Sequence, residues 1–187
     1  MVLQDTPSNG GSSSLQSDLL KMLETATGAD VTFLVQKSQI KAHRAILSSR
    51  CEHFRRMFES GTEESGTSEV KVPDIKAAVF RGLLEFLYSD SLPKNFDAVA
   101  FDLLLAADKY SVEKLVKMCE LKAPLSARNV VDALLVADRV ESHVLMERAK
   151  VVFRSSFDTV MKCDAAKKKL KRFPDLLLEL LSHYLKD

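Results

Sequence analysis

The sequence predicts an α+β fold: an N-terminal helix, a β-hairpin, a helical stretch, one more short strand, and then helices only. Three observations carry that expectation. Apolar and β-branched residues alternate at residues 30–35, 39–42 and 69–72, the period of a half-buried strand. Elsewhere after residue 14 the apolar residues recur at helical spacing. The chain has 187 residues, 46% of them hydrophobic, with a formal net charge of +1, which is the composition of a folded domain with a core to bury. That balanced charge argues against a general nucleic-acid binder and against a polybasic membrane-surface protein. No apolar run approaches the roughly 18–20 residues needed to span a bilayer.

Residues 1–14 are polar and rich in Ser and Gly, and read as a disordered tail or linker. Leu15, Leu19, Met22 and Leu23 then form the apolar stripe of a helix that ends near Thr27 and Gly28. Val31, Phe33 and Val35 alternate in a first strand, residues 36–38 turn, and residues 39–42 make the second strand of a hairpin. Ile46, Leu47, Phe54, Met57 and Phe58 restore the helical period over residues 43–60. A break is expected at Ser48 and Ser49, where a hydroxyl can cap the next helix. Residues 61–68 read as a polar loop, and Pro73 and Asp74 stop the short strand at 69–72. Helices are expected around 78–87, 97–108, 111–121, 127–139, 142–157 and 174–185, with Ser111, Ser126 and Ser142 as N-caps. No solenoid-type repeat is evident.

Little in the chain points to catalysis. No His-Glu-x-x-His, Gly-x-Ser-x-Gly, Walker or Rossmann pattern occurs, and six glycines are too few for a phosphate cradle of the usual kind. Cys51 and His53 lie two apart, so on a helix they point to different faces. The four histidines, at 43, 53, 143 and 183, show no metal-ligand spacing. Neither an enzyme nor any metal or cofactor is therefore expected. The three cysteines, at 51, 119 and 163, are odd in number and widely spaced, which suits free thiols in a reducing compartment. With no secretory signal at the N-terminus, the expected location is the cytoplasm or nucleus. Lys167–Arg172 is the sharpest charge run; it reads as a solvated helix or linker, with nuclear import as the alternative. Glu59, Glu63, Glu64 and Glu69 cluster beside Met57 and Phe58, either as a solvated loop or as the acidic edge of a docking site. The stripe on the first helix needs a packing partner, from its own domain or from another copy.

The segments around Asp30–Phe33, Lys41–Leu47 and Cys51–Phe58, in that order, resemble the opening of the BTB/POZ fold. Residues 79–89 resemble its next helix, and Leu103–Tyr110 with Leu115 and Cys119 resemble its end. Residues 122–187 resemble a helical 3-box and partial BACK extension, so that the BTB/POZ domain would occupy 15–121. The likeness is greatest to speckle-type POZ (MATH-BTB) and Armadillo-BTB proteins. The resemblance implies an adaptor that forms homodimers and recruits cullin-3 into an E3 ubiquitin ligase acting on a protein substrate. It also leaves open a BTB self-association or transcription-scaffold module that does not bind cullin. Carried onto this chain, it implies a dimer interface of Leu15, Leu19 and Met22 with the charged pair Asp30 and Arg44. It implies a cullin-binding surface of Thr62 and Glu64, with Met57 and Tyr110 beside them. Thr62 stands where the family has a larger apolar residue, which forfeits about 25 cal/mol for each Å² no longer buried. Such adaptors also carry a separate substrate-reading domain, and fourteen tail residues are too few to form one. That points either to an excised module or to another route for substrates.

Overall fold

The computed structural model describes residues 14–59, 68–174, 177–178 and 180–181. The expected tail at 1–13, the loop at 60–67 and much of the last expected helix lie outside the described residues. The fold is α+β, as expected: three strands and ten helices are assigned among the described residues. The chain divides into two compact units, one within Met1–Ala77 and Leu83–Pro93, the other within Ala78–Gly82 and Lys94–Asp187.

In the first unit, α1 (Leu15–Thr25) starts at Ser14, whose hydroxyl accepts the Ser17 N–H at 3.2 Å. It ends through Ala26 (φ 54°) and Gly28 (φ 76°), both left-handed, and the glycine takes that conformation without Cβ strain. Strands β1 (Val31–Val35) and β2 (Ser38–Ala42) pair antiparallel around Gln36 and Lys37. The helices α2 (Arg44–Arg50) and α3 (Glu52–Glu59) then lead to β3 (Glu69–Val72), which pairs parallel with β1. The sheet order is β2-β1-β3. Val31, Phe33 and Val35 point inward, and Phe33 meets Phe54 edge-on at 5.5 Å.

The break between α2 and α3 falls at Cys51, not at Ser48 and Ser49. The Ser49 hydroxyl donates back to the Ile46 carbonyl instead of capping the next helix. Cys51 takes the extended conformation, and the backbone N–H groups of Phe54 and His53 face its sulfur, as at an N-cap.

In the second unit, α5 (Phe96–Lys109) and α6 (Glu113–Lys122) form one helical hairpin, and α7 (Val130–Arg139) and α8 (His143–Ser155) form another. The two hairpins repeat at an offset of 30 residues. Leu104, Ala107, Asp108 and Leu115 stand where Leu134, Ala137, Asp138 and Leu145 stand in the second copy. The turns match: Ser111 (φ 55°) and Glu141 (φ 53°) are left-handed, and the Val112 and Ser142 N–H groups each reach back 2.8 Å, to the Ala107 and Ala137 carbonyls. Two copies do not make a solenoid; α5 packs against α7 and α6 against α8. Ser111 is thus a left-handed turn residue, not an N-cap. Ser126 is not one either, since Asn129 precedes α7 and its Oδ1 accepts the Ser126 N–H at 2.8 Å. Ser142 does cap α8, accepting the Leu145 N–H at 3.1 Å. Arg148 closes the end of α6 by donating to the Glu120 and Ala123 carbonyls.

Two short helices follow, α9 (Phe157–Lys162) and α10 (Asp164–Leu170). Most of the basic run lies on α10 and its end. Leu170 is buried and Lys169 pairs with Asp132, so this segment packs against its own unit. The remaining helix, α4 (Ala77–Ser89), contributes residues to both units.

Candidate protein-interaction site

The expected interface residues Leu15, Leu19 and Met22 share one side of α1. Leu15 is 75% exposed and the other two are half-buried. Leu23 is the one buried residue of this helix. The domain therefore covers α1 incompletely and leaves an apolar stripe toward solvent, with its outer end fully open.

Asp30 and Arg44 do meet. The Asp30 carboxylate accepts the Arg44 backbone N–H at 2.7 Å, satisfying one of the orphan donors at the start of α2. Asp30 is exposed in the single chain. The Arg44 guanidinium extends over the Phe58 ring, 4.8 Å from its centre. This places Arg44 between the end of α1 and the end of α3.

A buried polar cluster lies directly behind that pair. His43 Nε2 is 2.8 Å from the Thr27 carbonyl, and its Nδ1 is 2.7 Å from the Tyr88 hydroxyl, which also accepts the His43 backbone N–H at 2.9 Å. Burial, reinforced by the nearby Asp30 carboxylate, pushes Tyr88 up to about 12, against one lowering influence, the His43 backbone N–H. The phenol therefore keeps its proton at neutral pH and stays a donor. Among the described residues, no buried side-chain N or O atom lacks a hydrogen-bond partner. The sequence gives no sign of this cluster, because His43 and Tyr88 are 45 residues apart.

On α3, Met57 is half-buried and Phe58 stacks on Phe54 at 6.0 Å. Glu52 opens the helix and pairs with Arg56 and Arg55, and the Arg56 hydrogen bond chiefly holds its carboxyl below the usual range. Exposed pairs of this kind contribute little stability. Thr62 and Glu64, the two main cullin-facing candidates, lie outside the described residues. Tyr110 is a correction. It is 3% exposed and packs edge-on against Phe80 at 6.1 Å in the second unit, so its side chain belongs to that core and not to a docking surface.

The thiols offer no activated nucleophile at Cys51 or Cys119. Burial pushes both up, Cys119 to about 12. Among the described residues, no group of three His, Cys, Asp or Glu side chains is placed to hold a metal ion. Among the same residues, no helix is long and apolar enough to cross a membrane.

A family model described as BTB/POZ domain matches residues 19–127. TD and POZ domain-containing protein 4 of Mus musculus is 36% identical over 150 residues, which cover 73% of this chain and 40% of the mouse protein. The chain thus spans less than half the length of that relative. Among solved structures, the BTB domain of zebrafish PATZ1 is similar at 21% identity and a TM-score of 0.48, over 63% of this chain and 95% of the zebrafish chain.

Proposed function

The chain belongs to the BTB/POZ domain family, and on that premise we propose a self-associating adaptor that recruits cullin-3 into an E3 ubiquitin ligase for substrate ubiquitination. The coarser part of this, a protein-interaction role, follows from the family itself. The observation that carries the finer reading is α1. Its stripe is half-covered, with Leu15 75% exposed, and it stands next to Asp30 and Arg44. A second copy presenting the same stripe would cover it symmetrically, and a two-fold interface needs that kind of self-complementary patch. The cullin-facing part rests on the resemblance of residues 62–64 to the family's docking triplet, with Met57 supporting it from α3. The adaptor works by binding and not by catalysis, on a protein substrate, in the cytoplasm or nucleus. The free cysteines at 51, 119 and 163 support a reducing compartment.

Calorimetric titration with the cullin-3 N-terminal region, at tens of micromolar and near-physiological salt, tests the cullin part. Measurable heat is expected for the unaltered chain and none for Glu64→Lys, since like or unpaired charge placed at the contact costs several kcal/mol. Thr62→Met, which restores apolar area, is expected to tighten binding several-fold. If the unaltered chain gives no heat, the alternative stands: a self-associating or transcription scaffold that does not engage cullin. Thr62 and the basic run at Lys167–Arg172 are the features that favour that alternative.

A further inference from the structure

We propose that His43 is a positioning residue for the self-association face: its ring clamps the Thr27 carbonyl at the end of α1, and Tyr88 orients that ring. The inference rests on the reading that α1 joins two copies of the chain.

The argument starts from how weakly α1 is otherwise held. It buries one residue, Leu23, and leaves the domain through the left-handed Ala26 and Gly28. Between those two lies Thr27, whose carbonyl is 2.8 Å from His43 Nε2. A carbonyl only accepts, so Nε2 carries the proton, and in the neutral ring Nδ1 is left to accept from the Tyr88 hydroxyl. That hydroxyl in turn accepts the His43 backbone N–H. Each hydrogen in the cluster has one place to go, so the ring orientation is fixed on both sides. His43 is 8% exposed and Tyr88 3%, so the bonds between them are shielded from bulk water, while the bond to the Thr27 carbonyl is part-buried. One residue further on, the Arg44 backbone N–H holds Asp30. The segment that joins α1 to β1 is thus pinned at consecutive residues of the chain entering α2.

The consequence is leverage. At 1.5 Å per residue, α1 carries Leu15 roughly 15 Å from its end, so a tilt of about 10° there moves Leu15 by about 3 Å. A symmetric interface suffers that displacement twice.

Two substitutions at His43 separate the two halves of the clamp. His43→Asn keeps an amide near the Nδ1 position, toward Tyr88, and loses Thr27. His43→Gln places an amide N–H near the Nε2 position, toward Thr27. Sedimentation equilibrium over a dilution series is expected to show dimer dissociation about tenfold weaker-binding for His43→Asn, about 1.4 kcal/mol. For His43→Gln it should stay within about twofold of the unaltered chain. Amide hydrogen exchange should rise across residues 15–25 in His43→Asn and stay unchanged across 31–42. Equal association by both variants and the unaltered chain overturns the proposal, and so does a uniform rise in exchange over both segments. If His43→Asn does not fold, His43→Leu, which fills the same space and offers no donor to Thr27, replaces it, with the same selective loss over α1 expected and the same two overturning results. Leu19→Asp separates this inference from the reading beneath it. If that variant remains dimeric, the α1 interface fails and takes the clamp's role with it. If it dissociates while His43→Asn does not, the clamp alone fails.

Discussion

Leu19→Asp is expected to convert the self-associated chain to a monomer without unfolding it. Leu19 sits mid-stripe on α1, half-buried in the single chain, with Leu15 and Met22 on either side. In a symmetric pair it would lie close to the interface centre, where two new carboxylates would lose water and repel each other. A cost of about 2–5 kcal/mol for such groups weakens association by roughly 30-fold to several thousand-fold. Leu23 continues to hold the helix in place, so the far-ultraviolet circular dichroism should be unchanged. Light scattering should report the 20.9 kDa of one chain, where the unaltered protein reports about twice that. A dimer mass that survives the substitution removes α1 from the interface.

Phe54→Ala is expected to damage both stability and docking. Phe54 is fully buried, meets Phe33 of the sheet at 5.5 Å, and supports Phe58, over which Arg44 lies. Truncating a buried Phe costs about 3–5 kcal/mol, a transfer penalty plus that of the cavity left behind. At 187 residues this lowers the thermal midpoint by roughly 10 °C. The effect on function is directional. Phe54 fixes α3, and α3 leads into the segment that carries Thr62 and Glu64. Leu83→Ala, fully buried in the same compact unit, provides the control. Measured well below both midpoints, cullin binding should fall for Phe54→Ala and hold for Leu83→Ala. Equal losses would mean that α3 has no special part in docking.

The strands were legible because Val31, Phe33 and Val35 alternate without interruption, and Glu69–Val72 repeats the pattern. Helix α1 and the Ser142 cap were legible for equally local reasons. What escaped depends on distance or on unusual chemistry. A cysteine is not a habitual cap, so the break at Cys51 carried no signal, while two serines nearby carried a false one. Ser111 and Glu141 adopt left-handed turns that glycine would have advertised. The 30-residue repeat survives mainly at buried Leu and Ala positions and one turn Asp, residues too common to stand out. Tyr110 sits at a helix end, where sequence alone does not separate a buried ring from an exposed one. The apolar stripe on α1 was legible from its helical spacing, while the pairing of Asp30 with Arg44 came from the family resemblance and not from the spacing. The clamp behind them was not legible, because it joins Thr27, His43 and Tyr88 across three separate segments.

Sedimentation velocity of an equimolar mixture with the cullin-3 N-terminal region tests self-association and recruitment together. The account predicts one boundary whose mass corresponds to two copies of each protein, reduced to one of each by Leu19→Asp. Separate boundaries for the two unaltered proteins, or a complex with a single copy of this chain, would contradict it.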